Sequence, residues 1–445
     1  MDVSGIGNSG LRPALEESPP GRPSEHNLYA PSGRLPAWRL PLSSVRRGQR
    51  VLSVGVVVAL LTLPALLLGP SSALPNGVPA WGPWRTETLS HNAFLYQDTA
   101  LLIAPGDVPH LLYVDRAPSD KVAVYYSWRA GLAWERVLVA DQAWLGDLAL
   151  DAAGRAHIVH AGSAGLVYAT YHAGVLTREV VKASASTFDV SLALDAAGSP
   201  HLAYGNFDTD AIEYAYRNPA TGAWTVETVP GFYDAGNNQI TLRLDSAGRP
   251  HVAYDMSSNV NPGVWYAMRG PSGGWTAEEL GSVCVYSAAL ALDAQDRPHI
   301  ACSHTDLGLT YVTRASPTSL WTYERVDAGF RHGQDPDLVL DAQGRPHLSF
   351  AHGYNPGWPD DPTGPGQLHY ATRALAGGWA IELVDPVGQY NGIGSSIALD
   401  SLGIPHVSYV LGWHRYSEGA LDPVLEAFNV MYAEPVVATG LGMMP

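Results

Sequence analysis

One block of residues recurs seven times along the chain, and its spacing constrains the fold more than any other feature. The block reads Leu-x-Leu-Asp-x-x-Gly-x-Pro-His, followed by three apolar residues. Full or near-full copies run Leu192 to His201, Leu242 to His251, Leu290 to His299, Leu338 to His347 and Ile397 to His406. Leu148 to His157 carries Ala156 in place of Pro, and Leu101 to His110 is a degenerate seventh copy. Successive block histidines are 47, 44, 50, 48, 48 and 59 residues apart. A period near fifty built from strand-like units is the mark of a repeating array, in which each unit buries its apolar faces against its neighbours.

Each unit reads as four strands. In the third, Ser191 to Asp195 alternates with period two, as a half-buried strand does. Ala196 to Pro200 is a turn, where Gly198 tolerates a positive φ, Pro200 presets its own φ and Asp195 can accept backbone N–H bonds. His201 to Tyr204, Ala211 to Arg217 and Trp224 to Val229 supply the other three strands. The third strand recurs with Tyr-Ala-x-Arg near its centre. The fourth opens on Trp134, Trp224, Trp275, Trp321 and Trp379, mostly as Trp-x-x-Glu, with Leu176 as the exception. Small residues such as Ala193, Ala291 and Ala398 in the first strand suit a crowded hub, and Trp in the fourth suits a wide rim. These features predict an all-β fold, a seven-bladed β-propeller with four antiparallel strands per blade. The seventh blade runs out of chain after a third strand near Phe428 to Ala433. A spare Trp-x-x-Glu strand, Trp84 to Leu89, precedes the first block. The N-terminal strand is therefore expected to complete the last blade and close the ring.

The blocks resemble those of bacterial repeat propellers of the broad sialidase-like and NHL-like group, over about residues 82 to 434. The resemblance implies the architecture and no activity. The Ser-x-Asp-x-Gly-x-x-Trp box of sialidases is not matched, and neither the Phe/Tyr-Arg-Ile-Pro segment nor an arginine triad is found.

Five segments are expected. Residues 1–50, rich in Pro, Gly, Ser and Arg, read as disordered. Residues 51–70 hold an apolar run, Val51 to Leu68, broken by Pro64 and preceded by Arg46, Arg47 and Arg50. It reads as a signal peptide cleaved after Ala73 or as a single-pass transmembrane anchor. Residues 71–80 form a linker, 81–435 the propeller and 436–445 a tail. Either reading of the apolar run places the propeller outside the cytoplasm, secreted or at the cell surface. The formal net charge is −16, and the first 73 residues carry +3, which leaves −19 on the rest. Such a surface excludes nucleic acid as a partner, because no basic stripe is available to neutralise phosphate. The only cysteines are Cys284 and Cys302. Counting from the turn sets Cys302 opposite a residue near Ala289, so two partly buried thiols are the reading, with a disulfide as the alternative open to an exported chain.

The Asp-x-x-Gly-x-Pro turns share one face of the ring and are short and uniform. The connections on the other face are long, variable and polar, which makes that face the expected site. One block histidine per blade is a structural pattern, each expected to hydrogen-bond across its own turn to the block Asp. The candidate ligand-binding residues are aromatics in the connections: Trp144, Phe188, Tyr233, Tyr286, Phe330 and Tyr390. They would stack on sugar faces or plug the channel. His304, His332, His352 and Asp335 are the candidate set for a divalent metal, although their spacing matches no known metal motif and no cofactor is otherwise implied. Long excursions at 353–366 and 411–426 suit partner recognition. No catalytic set assembles in the sequence. The expected function is a ligand-binding or protein-interaction module for a glycan or protein. A glycoside hydrolase or polysaccharide lyase working at the mouth, or a purely structural envelope protein, are the alternatives.

Overall fold

A computed structural model describes residues 83–91, 93, 98–183, 186–230, 239–256, 263–304, 308–326, 333–352, 366–374, 377–386, 390–415 and 425–436. These residues form seven four-stranded antiparallel sheets, the blades of a β-propeller. Blades 1 to 6 each use four consecutive strands. Blade 7 takes its three inner strands, Tyr390–Leu399, Pro405–Arg415 and Leu425–Pro435, from the end of the chain. Its outer strand, Trp84–Ser90, comes from the start, in a register that sets Trp84 opposite Pro435 and Thr88 opposite Met431. The ring closes as the sequence leads one to expect, and the edge of Val430–Pro435 is covered.

The block folds as its residues dictate. In blade 3 the Asp195 carboxylate accepts the N–H groups of Ala197 at 2.9 Å and Ser199 at 2.7 Å. The same pair of bonds recurs at Asp151, Asp245, Asp293, Asp341 and Asp400. The Gly position needs a left-handed backbone, with φ 77° at Gly198. Blades 1 and 5 place Asp107 and Asp296 there, at φ 58° and 59°, and Asp is among the few residues that tolerate this region. Each uses its carboxylate to hold a serine in the preceding blade's turn, Ser401 and Ser246 respectively.

The block histidines are structural, with a partner the sequence did not reveal. Nδ1 of His110, His157, His201, His251, His347 and His406 meets the hydroxyl of a third-strand tyrosine at 2.5–2.6 Å. His299 makes the same bond to Tyr311. Nε2 faces the block Asp, within hydrogen-bond reach at 3.3 Å in His157–Asp151 and His299–Asp293. In blades 3, 4, 6 and 7 the separation is 3.5–3.7 Å. Burial pushes every one of these imidazoles below its ordinary range, because a charged ring would lose its water.

The rim motifs join blade to blade. Third-strand arginines reach the outer-strand glutamate of the preceding blade, as in Arg269–Glu227 at 2.7 Å and Arg217–Glu179 at 3.2 Å. Arg129–Glu87, Arg314–Glu278 and Arg373–Glu324 repeat the pair. The outer-strand tryptophans pack edge-on against the preceding blade's tyrosine, with centroids 5.2–5.5 Å apart in five seams. The seam between blades 1 and 2 departs from this at all three positions together. Val137 stands where the glutamate belongs, Tyr171 replaces the arginine and Leu176 the tryptophan. All three join one apolar cluster, with Tyr171 against Tyr126 and Trp128 at 5.6 and 5.4 Å. Dropping both charges together avoids leaving one buried without its counterion.

Two expectations change. Cys284 and Cys302 form a disulfide, with Cα atoms 5.3 Å apart. The count from the turn was sound, since Cys302 pairs with Ala288, but a bulge between Tyr286 and Ala288 and a reversal at Gly281–Cys284 return Cys284 to the same place. Part of the 411–426 excursion is strand: Trp413, His414 and Arg415 pair with Ala427, Glu426 and Leu425. The apolar run 51–68 and the 353–365 loop lie outside the described residues. Among the described residues, no helix is long and apolar enough to cross a membrane.

Candidate functional site: the axial cavity and its mouth

The inner strand of each blade starts on the connection face and runs along the axis. Its free edge carries backbone N–H groups that need acceptors. Side chains one or three positions ahead of the block supply them from the neighbouring blade. Asp147 of blade 2 accepts Leu192 N–H at 2.7 Å and the Ser191 hydroxyl at 3.2 Å. Asp337 of blade 6 accepts Ile397 N–H and the Ser396 hydroxyl, both at 2.9 Å. Asp189 of blade 3 takes Ile240 N–H. Ser191 and Ser396 pass the pattern on, accepting Leu242 N–H at 3.1 Å and Leu101 N–H at 3.2 Å.

Inside this belt lies a cavity of 790 Å³, lined by inner strands of blades 1, 2, 3, 4, 6 and 7. Six aspartates line it: Asp98, Asp147, Asp189, Asp335 and Asp337 stand ahead of the blocks, and Asp151 is the block acid of blade 2. Asp98 makes no side-chain hydrogen bond among the described residues. Enclosure by protein, then the charges of Asp335, Asp337 and Asp147, push its pKa up to about 7. Enclosure followed by the Asp98 charge holds Asp189 well above the carboxylate range. Burial raises Asp147 and Asp335 as well. Asp98 keeps solvent contact in the cavity. Asp255 is 2% exposed and is pushed up to about 7 by burial, against N–H bonds from Gln239 and Ser287. Like charges that share an enclosure cannot all ionise near neutral pH, so the ring retains protons there.

Of the sequence-predicted aromatics, Trp144 and Tyr286 are described in full. Each lies four residues before its block at a bulge: Trp144 is the extra residue of its bulge, whereas Tyr286 pairs with Ser303 beside the extra residue Ser287. They are 38% and 37% exposed, and neither fills the cavity. Trp144 Nε1 donates to the Thr187 carbonyl at 3.5 Å, across to the next blade. Phe188 and Tyr390 belong to the inner strands Thr187–Leu194 and Tyr390–Leu399, and their side chains lie outside the description. Tyr233 and Phe330 lie outside the described residues altogether.

The metal candidates divide between places. Asp335 is one of the cavity carboxylates, whereas His304 and His352 close the second strands of blades 5 and 6 and do not line the cavity. His332 lies outside the described residues. His352 instead faces His369, ring centroids 5.4 Å apart. Among the described residues no three His, Cys, Asp or Glu side chains gather as a metal site would require. Sequence reasoning overlooked Asp98, Asp147 and Asp189. The available signal was an acid one or three residues ahead of a block.

No protein family matches the chain, and no curated protein matches it. Solved structures do resemble it in fold. A fungal alcohol oxidase in complex with copper shares 11% identity, with 80% of this chain and 76% of that chain covered, at a TM-score of 0.52. An ulvan lyase, a polysaccharide lyase, shares 12% over 79% of this chain and 94% of its own, at 0.46. The Aleuria aurantia lectin shares 12% over 77% of this chain and 96% of its own, at 0.41. At 11% identity the likeness to the alcohol oxidase is one of fold alone, and this chain's own seven four-stranded sheets make that fold a seven-bladed β-propeller.

Proposed function

We propose that the protein is a ligand-binding module that takes a glycan at the axial mouth of its connection face. The observation that carries this is the 790 Å³ cavity ringed by carboxylates, with exposed aromatics at the start of the inner strands of blades 2 and 5. Carboxylates accept hydrogen bonds from sugar hydroxyls, and Trp144 and Tyr286 offer flat faces to sugar C–H groups. Binding to a glycan array, followed by titration of the best hit, tests the reading. Trp144→Ala and Asp98→Asn are each expected to weaken binding about tenfold, the loss of roughly 1.4 kcal/mol. Retention of full affinity in both variants would move the ligand elsewhere, and no glycan binding at all would leave an architectural role.

A hydrolase or lyase is the second reading, favoured by one feature. A carboxyl whose pKa is pushed up to about 7, as at Asp98, holds a proton that a general acid can donate near neutral pH. Release of new reducing or unsaturated ends from the bound glycan, lost in Asp98→Asn, would favour the enzyme over the module. The reading also keeps the propeller outside the cytoplasm, supported by the Cys284–Cys302 disulfide and the arginine-flanked apolar run. Assignment to the sialidase-like and NHL-like repeat group belongs to the same proposal and rests on the Asp-x-x-Gly-x-Pro-His turns.

A further inference from the structure

On the opposite face, where the Asp turns lie, a cavity of 330 Å³ opens in the seam between blades 2 and 3. Arg155, Tyr168, Thr170, Thr177, Glu179 and Arg217 line it. Its size falls at the low end of ligand pockets, about 300–1,000 Å³, and suits one ring-sized group.

Three local departures make this seam unlike its neighbours. The turn arginines of blades 4, 5 and 6 are committed: Nε of Arg249, Arg297 and Arg345 donates to its own block Asp at 2.5–2.6 Å. In blade 2, where Ala156 replaces the usual proline, Arg155 Nε stands 3.8 Å from Asp151. The Arg155 guanidinium therefore makes no hydrogen bond among the described residues. Secondly, Thr170 occupies the place that Trp128, Tyr216 and Met268 fill in blades 1, 3 and 4, one residue before the arginine position of the third strand; blades 5 and 6 also have threonine there, but the Thr313 and Thr372 hydroxyls donate to the Pro298 and Pro346 carbonyls of their own blades. The smaller side chain leaves the seam hollow. Thirdly, Thr170 and Thr177 hydroxyls bond each other at 2.7 Å. That bond uses one of their two hydrogens, and the other remains to donate.

The anions nearby are accounted for. Glu179 is held by Arg217 at 3.2 Å and by Trp224 Nε1 at 2.8 Å. Asp151 accepts the Ala153 and Arg155 N–H groups and faces His157 at 3.3 Å. What the seam offers is the Arg155 guanidinium fork, the Arg217 Nη groups, which make no hydrogen bond among the described residues, and a hydroxyl donor. A planar carboxylate matches that fork with two parallel bonds. We propose that the seam between blades 2 and 3 is a binding site for a small carboxylate-bearing ligand, gripped by Arg155 and steered by Thr170 and Thr177.

Calorimetric or NMR titration of the propeller with glucuronate, glucose and inorganic sulfate tests this. Glucuronate is expected to bind saturably and glucose not at all at the same concentrations. Arg155→Gln should weaken glucuronate at least tenfold. Thr170→Tyr, which installs the side chain found at Tyr216, should abolish it while leaving the melting temperature intact. Arg345→Gln, in a turn remote from the seam, should leave affinity unchanged. Equal binding of glucuronate to the Arg155 and Thr170 variants, no saturable binding, or preference for sulfate over glucuronate would each overturn the proposal.

Discussion

A chain that begins at Asp98, and so lacks the strand Trp84–Ser90, will lose its cooperative folded state, whereas one that begins at residue 82 will keep it. The deleted strand is the outer strand of blade 7 and its only element from the N-terminal side. Without it the edge of Val430–Pro435 opens to solvent. Trp84 leaves its packing on Tyr370 of blade 6, 5.6 Å between centroids. Glu87 leaves Arg129 of blade 1, whose guanidinium also lies over Trp134 and Tyr432. Both seams of one blade are thus undone at once. The loss is expected to rival the ~5–15 kcal/mol that holds a whole domain together. Urea denaturation followed by Trp fluorescence will show a cooperative transition in the longer chain and none in the shorter. The unpaired edge should also promote aggregation.

The second large effect is on pH dependence. His160 lies buried between blades 1 and 2, 4% exposed, and neither ring nitrogen has a hydrogen-bond partner among the described residues. Burial, with the Arg178 charge second, pushes its pKa down to about 4. A histidine whose folded pKa lies below its unfolded value near 6.5 contributes nothing adverse above that pH. As the pH falls from about 6.5 toward 4, the unfolded chain binds the proton first and stability is lost. The cavity acids act in the opposite sense. Asp98 and Asp255, at about 7 when folded, penalise the fold above pH 7, and the penalty is relieved as they protonate. The two sets overlap in one window, so a single variant is the clean test. His160→Phe installs the residue found at the equivalent Phe350 of blade 6. It is expected to gain about 2–3 kcal/mol on the natural protein by pH 4.5, relative to their difference at pH 7.5. Urea midpoints at the two pH values measure it, and a constant difference between the two proteins would mean that His160 is not the buried neutral group described here.

The ring was legible because its marks fall at fixed places in every blade. One histidine in every blade, an Asp turn in all but blade 1 and a rim tryptophan in all but blade 2 survive drift in the loops, and Trp84 shows where the circle joins. The histidine–tyrosine bond was illegible because the separation runs from 11 residues in His157–Tyr168 to 26 in His406–Tyr432. Loop length between second and third strands hides a constant spatial pairing. The disulfide was missed for a different reason. Ser287, at φ 53°, marks the bulge, and a bulge adds a residue that counting from the turn does not see. The cavity carboxylates escaped notice because ring closure assembles them. Asp98 of blade 1 feels Asp335 and Asp337 of blade 6, and nothing in the spacing of those residues links them. The aromatics were read from the connections, but Trp144 and Tyr286 lie within the inner strands of blades 2 and 5 and stand partly exposed there.

The closed ring underlies every placement above, including the cavity, the mouth and the seams. Its most direct test is a cross-link between the two ends of the repeat region. Arg85 and Glu434 are register partners across the closing pair of strands and form an ion pair near the surface. Antiparallel partners lie about 4.5–5.5 Å apart at Cα, within reach of a disulfide. Arg85→Cys combined with Glu434→Cys should oxidise spontaneously in the folded protein, and mass spectrometry of the proteolysed product should recover the joined peptides in high yield. Folded protein in which both thiols stay free would contradict the account, because Trp84–Ser90 would then lie away from Leu425–Pro435.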